Sequence, residues 1–482
     1  MKQKILILLG IAVLCVPKGF SQDPFHQYFI EKTMRLDYLH CGTSDKEWFA
    51  YDEILRENTW AGCYDKLVDT LDLGKYRFEV TDNASGAVIY SRGFSSVFGE
   101  WQTTTEAADG VQRAFHESVR FPWPKDTVTV VLETRDTFNQ FQKLWSHTID
   151  PSNPNMRKNS CPDYPVVPFI NNGPSPEKVD IVILPDGYTK DEMGKFNSDV
   201  KRLLAVLFDT SPFKERQSEF NVWGVEAPSM ESGIDNPQAG IYRNTVLSSS
   251  FNAFGSDRYV LTWDNKAVRK VAAAAPYDFL YILFNSEKYG GGGIYNLYST
   301  CTSDNVWSDY IFTHEFGHSF AGLGDEYYTS DVAYSDFYPV GIEPWEPNIT
   351  TFANGKTPKW VSCLGLDMPI PTPWEKAKFD AHQSEYGKER ATWKENGMNQ
   401  TQIDSLVHIN DQWVSNFLRT QAHWGQVGAF EGAGYASQGI YRPYLDCRMF
   451  TRSMTGFCPV CRRAIDTMID FYTYSKIDDR KD

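Results

Sequence analysis

The feature that most constrains the fold of this chain is a pair of histidines, His314 and His318, with Glu315 directly after the first. On an α-helix, residues four apart lie on one face, so both imidazoles can bind the same Zn²⁺ ion. Glu315 then lies where its carboxylate can take a proton from water as a general base. The fold must therefore present this helix to a metal and supply a third ligand.

The third ligand is expected after two glycines. Asp325 lies seven residues past His318, which on a straight helix is about 10 Å further along the axis and out of reach of the same ion. Gly322 and Gly324 predict a sharp turn that ends the helix and folds the chain back. Asp325 is the favoured ligand, and Glu326 is the alternative. The acid that does not bind the metal would orient a ligand imidazole.

The acidic composition excludes one broad class of function. The 482 residues include 47 Lys or Arg and 62 Asp or Glu, so the formal charge is −15. Proteins that bind nucleic acid need clustered cations to displace counterions from phosphates, and we therefore expect no nucleic-acid partner. Hydrophobic residues make up 41% of the chain, which is enough for large cores, and a chain of this length usually forms two or more domains.

The first residues have the pattern of a secretory signal peptide, predicted over residues 1–21. Lys2 and Lys4 precede an apolar run at 5–16, and Ser21 supplies a small residue at the end. The run is too short to cross a membrane as a helix, and no later stretch predicts a transmembrane segment. We expect a secreted or extracytoplasmic protein. Cys15 leaves lipid anchoring as an alternative.

The next part of the chain predicts an all-β sandwich over residues 22–150. Short alternating or β-branched runs, separated by Asp, Asn and Gly turn signals, lie at 76–80, 87–90, 113–119 and 127–132. Prolines then cluster with Asn and Ser over residues 151–176. We interpret this stretch as a linker.

Residues 177–482 have the pattern of an α/β domain. Predicted strands lie at 178–184, 220–225 and 279–284, and predicted helices lie at 191–208, 384–396 and 403–418. Strands that alternate with helices indicate helices layered on a sheet. The segment with the two histidines belongs to this domain.

Three segments together resemble the bacterial IgA-peptidase family of zinc metallopeptidases. They are the motif HEFGHSFAGLGDEY, the predicted strand at 179–184 followed by PDGY, and a C-terminal segment with CRM and FCPVCR. The resemblance covers roughly residues 174–474 and extends to an N-terminal β domain. It implies a zincin-like catalytic domain of α/β (α+β) class, preceded by the β-sandwich domain.

The motif is also similar to the metzincin pattern HExxHxxGxxH, with Gly322 and Asp325 each one place later and Asp in place of the third His. Metzincins place a methionine turn beneath the metal. By this resemblance Met449 is the better candidate for that methionine and Met454 the weaker one. Either residue could instead be an ordinary core methionine.

Two other segments are candidates for contact with substrate. Tyr435 and Tyr441 lie in a Gly-rich, aromatic stretch, and either hydroxyl could donate a hydrogen bond to a developing oxyanion. The glycines at 290–293 predict a flexible loop leading into an edge strand, which could bind extended peptide by strand addition. Packing of the tyrosines and a surface loop at the glycines are the alternatives.

The cysteines give a weaker indication. Eight remain after removal of the signal peptide, an even number that is compatible with disulfides in an exported chain. Cys458 and Cys461 form a CxxC pair, but a second pair is missing, which argues against a zinc ribbon. We interpret them as structural cysteines.

The sequence therefore predicts an exported Zn²⁺-dependent endopeptidase that acts on extracellular proteins or glycoproteins, with immunoglobulin A among the substrates that the resemblance suggests. His314, His318 and Asp325 would hold the metal, and Glu315 would be the general base. A zinc amidase acting on cell-wall peptides is one alternative. A surface adhesin or glycan-binding protein with a vestigial peptidase domain is the other.

Overall fold

The computed structural model describes residues 24–154, 156–158, 163–328, 338, 341–353, 355, 357–393, 396–398, 400–453 and 455–473. The predicted signal peptide at 1–21 and Met454 lie outside the described residues. No helix within these ranges is both long and apolar enough to cross a membrane.

The N-terminal region is built mainly from strands. Its elements are α1 (Pro24–Tyr28), β1 (Phe29–Gly42), β2 (Glu47–Arg56), β3 (Tyr76–Asp82), β4 (Val88–Phe94), α2 (Val97–Trp101), α3 (Thr105–Ala108), β5 (Arg113–Pro124), β6 (Val128–Arg135), β7 (Phe141–Ile149) and β8 (Arg157–Lys158). They form two four-stranded sheets, in the orders β5-β1-β2-β8 and β4-β3-β6-β7. The predicted β-rich region is confirmed, and β1, β2 and β7 are strands that we did not predict.

Strand β3 shows why these sequences form sheets with one buried face. Tyr76, Phe78 and Val80 are buried, and the residues between them are half-exposed. Side chains alternate across a strand, so one face of β3 packs into a core that both sheets share.

The C-terminal region is a mixed α/β structure. Its elements are β9 (Val166–Ile170), β10 (Val179–Asp186), α4 (Met193–Leu207), β11 (Phe220–Val225), β12 (Ser249–Ser250), β13 (Leu261–Thr262), α5 (Asn265–Ala272), β14 (Phe279–Phe284), β15 (Gly291–Ile294), β16 (Tyr298–Thr302), α6 (Ser308–Ala321), α7 (Lys376–Trp393), α8 (Gln400–Arg419), β17 (Phe430–Ala433), β18 (Ala436–Arg442) and α9 (Pro459–Tyr472). The main sheet has the order β15-β16-β14-β10-β11-β9. The predicted alternation of strands and helices is confirmed.

The inner strands of this sheet are parallel, and both edge strands are antiparallel to their neighbours. Every residue of β10 and β14 is buried, as expected for parallel strands covered on both faces. One edge strand, β9, lies within the stretch that the prolines led us to interpret as a linker.

The other edge strand, β15, begins at Gly291, within the glycines that we expect from the sequence to form a loop leading into an edge strand, so the strand starts earlier than predicted. A Cβ atom on Gly291 would lie 2.5 Å from Ile311, and one on Gly293 would lie 2.4 Å from the carbonyl oxygen of Glu315. The glycines therefore allow the edge strand to pack directly on α6, the helix that carries both histidines.

The two regions pack against each other beside β15. The backbone N–H of Ser95 donates to the carbonyl of Tyr295 at 2.9 Å, and the Asn296 amide donates to the carbonyl of Gly93 at 2.8 Å. These bonds hold the turn between β15 and β16 against the N-terminal region. That region therefore borders the helix that carries the histidines.

Candidate metal centre and its cleft

Helix α6 ends as the two glycines predict. Gly322 has φ of 61°, the left-handed conformation that favours glycine, and its N–H donates to the carbonyl of His318 at 3.0 Å. The N–H of Leu323 donates to the carbonyl of Gly317 at 3.3 Å. The chain reverses here and returns Asp325 to the face of the helix that carries the histidines.

Three ligand atoms meet on that face. The Nε2 atoms of His314 and His318 are 3.1 Å apart, and they lie 3.2 and 3.3 Å from Oδ1 of Asp325. With bond lengths of about 2.0–2.1 Å, neighbouring ligand atoms of a tetrahedral zinc site are about 3.3–3.4 Å apart. The residues present fit a zinc ion.

The hydrogen bonds of the imidazoles set their tautomers. Nδ1 of His314 lies 3.0 Å from the carbonyl oxygen of Arg448, and Nδ1 of His318 lies against the carbonyl oxygen of Leu323. A carbonyl oxygen can only accept, so both Nδ1 atoms carry the proton. Each Nε2 is left with a lone pair for a metal.

The two oxygens of the Asp325 carboxylate have different surroundings. Oδ1 is buried and has no hydrogen-bond partner among the described residues, while Oδ2 accepts from the Tyr435 hydroxyl. Burial raises the pKa of this carboxyl, but His318 and His314 beside it outweigh burial and hold the pKa well below its usual range. The group is therefore an anion directed at the two imidazoles.

Glu315 has the placement and the protonation behaviour of a base. One of its carboxylate oxygens lies within 4.8 Å of the ligand nitrogens of His314 and His318. Burial raises the pKa of Glu315 most strongly, the two histidines lower it, and the balance remains above the usual value. A raised pKa brings a carboxylate closer to the working range of a general base.

Met449 lies beneath the helix. Its sulfur would be 3.1 Å from a Cβ atom on Gly317, and its side chain is fully buried. The preceding residue, Arg448, supplies the carbonyl that orients His314. This placement is what the resemblance to a methionine turn implies for Met449.

The other candidate residues, Glu326, Tyr435 and Tyr441, take three different places relative to the three ligand atoms. Glu326 is turned away and accepts hydrogen bonds from Asn348 at 2.9 Å and from the thiol of Cys461 at 3.2 Å. Tyr435 binds Asp325 through its hydroxyl, so in this arrangement it holds a ligand. Tyr441 lies on β18 with its ring 4.6 Å from that of Phe352.

The three ligand atoms lie in a cleft of about 1670 Å³, larger than the roughly 300–1,000 Å³ of a small-molecule pocket. Both regions line it. Glu100 enters from the N-terminal region and accepts a hydrogen bond from the Tyr259 hydroxyl, and burial raises its pKa to about 7. Glu100 could not be identified from the sequence, because only the packing of the two regions against each other brings it to the cleft.

A group of metal-ligand residues beside a buried carboxylate, in a large cleft, is the arrangement of a metal-dependent hydrolase. The chain belongs to the IgA peptidase M64 family of metallopeptidases, because the family model described as IgA Peptidase M64 matches residues 167–469. The domain described as Peptidase M64 N-terminus matches residues 24–146. The resemblance seen in the sequence is thereby confirmed. A comparison with curated proteins found no match.

Proposed function

We propose that this metallopeptidase is an exported, zincin-like zinc endopeptidase that hydrolyses peptide bonds of extracellular proteins or glycoproteins. The observation that carries the proposal is the set of three ligand atoms from His314, His318 and Asp325, mutually 3.1–3.3 Å apart. The packing of their helix on the edge strand of a mixed sheet supports the zincin-like fold.

The proposed active-site residues have two roles, binding the metal and transferring a proton. His314, His318 and Asp325 hold the ion, and bound zinc supplies the Lewis acidity that makes water a nucleophile near neutral pH. Glu315 takes a proton from the attacking water and passes it to the leaving amine. Tyr435 holds the carboxylate of Asp325 in place and lines the cleft.

The edge strand supports a mode of peptide binding. Gly291 directs its N–H and C=O away from β16, toward Arg258 and Val260. Residues two apart on a strand share a direction, so Gly293 presents its own N–H and C=O at the cleft. The outward groups of Gly291 and Tyr295 are already bonded to Val260 and Ser95, so an extended substrate pairs with β15 at Gly293, beside Glu315.

The glutamate variant tests the mechanism. Glu315→Gln keeps the shape of the side chain and removes its basicity, so we expect unchanged zinc content and peptide hydrolysis reduced by about 10²–10⁴-fold. Glu287→Gln is the matched control, because Glu287 lines the same cleft and is exposed. A Glu315→Gln enzyme as active as the wild type would refute the role of Glu315.

Digestion experiments test the substrate class and the export. Purified enzyme is incubated with immunoglobulin A, a mucin-type glycoprotein and a cell-wall stem peptide, each with and without a chelator. Chelator-sensitive cleavage of either protein supports the proposal, and cleavage of the stem peptide alone identifies an amidase. N-terminal sequencing of the exported protein should begin at Gln22.

A further inference from the structure

A second cluster of metal-binding residue types begins one residue after Asp325. It contains Glu326, Cys447, Cys458 and Cys461, and one possible ligand atom from each lies within 4.8 Å of the others. All four side chains are buried, with at most 3% of their surface exposed. The mechanism proposed above uses none of them.

We propose that this cluster binds a structural zinc ion through three thiolates and the carboxylate of Glu326. The Sγ atoms of Cys447 and Cys461 are 3.7 Å apart, and two thiolates on one tetrahedral zinc, at about 2.3 Å each, are about 3.8 Å apart. Sγ of Cys461 lies 3.2 Å from Oε1 of Glu326. The cluster therefore has the donor set and the spacing of a closed four-ligand site.

The same spacing argues against a disulfide between Cys447 and Cys461, and all three cysteines of the cluster are free thiols in the structure. A disulfide requires about 2.05 Å between them, so Cys447 and Cys461 would have to approach each other by more than 1.5 Å. Backbone N–H groups already donate to sulfur, from Cys458 to Cys447 at 3.3 Å and from Cys461 to Cys458 at 3.5 Å. At the beginning of α9, the helix N-terminus and the N–H of Cys461 favour a thiolate at Cys458.

The carboxylate of Glu326 supplies an independent indication. Its Oε2 atom is buried without a hydrogen-bond partner among the described residues, and the side chain has no exposed surface. A buried polar oxygen without a partner costs about 1–3 kcal/mol, which a cation at this position offsets. The buried guanidinium of Arg442 interacts electrostatically with Glu326 and Cys447 and so offsets part of the remaining negative charge.

The proposed ion would join three distant parts of the chain behind the catalytic centre. Glu326 follows Asp325, Cys447 lies two residues before Met449, and the CxxC pair begins α9. The N–H of Glu326 also donates to the carbonyl of Met449 at 2.9 Å. The ion therefore holds the segment with the third catalytic ligand, and its presence does not depend on the proposed peptidase mechanism.

The experiment measures metal in a protein whose catalytic ligands are removed. The double variant His314→Ala/His318→Ala is purified and its zinc is counted by mass spectrometry, with an expected content of about one ion per chain against about two in the wild type. Cobalt replaces zinc in the same variant, and we expect the near-ultraviolet charge-transfer absorption of a cobalt–thiolate centre. Both signals should be lost on adding Cys447→Ser, and both should survive Cys301→Ser, which alters a buried cysteine on β16.

If the Cys447→Ser protein does not fold, the test still decides. The cobalt spectrum and a peptide map for disulfides can both be measured on the histidine variant alone. A histidine variant that holds no metal and shows no thiolate absorption overturns the proposal. A disulfide between any two of Cys447, Cys458 and Cys461, found by mapping the unreduced protein, also overturns it. The two proposals can fail separately. If the histidine variant holds no zinc while the wild-type protein is an active peptidase, the structural zinc site is refuted and the proposed function stands.

Discussion

The close packing of β15 on α6 predicts that Gly293→Ala impairs both folding and catalysis. The new Cβ would lie 2.4 Å from the carbonyl oxygen of Glu315, and ordinary contact begins at 3.4 Å, so strand and helix must separate by about 1 Å. Overpacking of this kind costs about 1–3 kcal/mol of unfolding free energy. A displacement of about 1 Å between substrate and base can lower the rate by about 10²-fold.

Urea denaturation measures the first effect, and kcat/KM on a peptide from the digestion experiments measures the second. Gly194→Ala on α4 is the matched control, because a Cβ there meets no atom within 4 Å, and alanine favours a helix by about 0.5–1 kcal/mol over glycine. If Gly293→Ala matches the wild type in both measurements, the reasoning from the strand–helix contact is wrong.

Three further predictions follow from the cleft. Tyr435→Phe removes the donor to Asp325 and should weaken zinc binding by about 10–100-fold in a competition with a chromogenic chelator; a fall in kcat at saturating zinc, with unchanged zinc affinity, would instead indicate an oxyanion role. Gly322→Ala places alanine at φ of 61° with its Cβ 2.8 Å from the Trp345 ring, and thermal unfolding should show a loss of about 2 kcal/mol. Glu100 has a pKa raised from 4.5 to about 7, so the stability it contributes when protonated is lost as pH rises through that interval. Between about pH 5 and pH 8, the free energy of unfolding of Glu100→Gln should therefore rise by about 1–2 kcal/mol relative to that of the wild type, after discounting for the partly exposed position of Glu100. A difference between variant and wild type that stays constant over this range would contradict the raised pKa of Glu100.

The helix with the histidines and the turn after it could be predicted because their signals are local. Histidines four apart on one helix face and a glycine in the left-handed conformation depend on residues within about two turns of each other. The strands at 220–225 and 279–284 were predictable for a related reason. The strand at 279–284 is buried on both faces and appears in the sequence as an unbroken apolar run, and the strand at 220–225 is mostly apolar with Asn221 as an interruption.

Strand β1 could not be predicted, because its polar face is also buried. Arg35 and Asp37 are at most 3% exposed and bind each other at 2.8 Å, on the face opposite Met34 and Leu36. That face is covered by α5 of the C-terminal region, where Asn265 donates to Ser118 on the neighbouring strand. The sequence shows charged residues and cannot show that a segment more than 200 residues away covers them.

The cluster of Glu326 and three cysteines could not be predicted either, because its residues come from distant parts of the sequence. Cys447 lies 11 residues before Cys458, and Glu326 lies 121 residues before Cys447. A zinc ribbon has two CxxC pairs, and this cluster draws one ligand from each of two other segments. The edge strand at the glycine run was predicted, but it starts earlier than expected: glycine weakens strands in general, and the close approach of α6 makes it necessary in β15.

The contact between the two regions has a consequence for when the cleft is completed during synthesis. Arg92, near the start of the chain, lies over the rings of Phe471 and Tyr472 on α9, the last described helix, with 4.7 Å to the first ring. Lys66 donates to the carbonyl of Thr473 at 2.8 Å. A chain emerging from the ribosome cannot form these contacts until α9 has followed. The junction between the two regions, and the cleft that both of them line, can therefore be completed only after residues 471–473 have been synthesised.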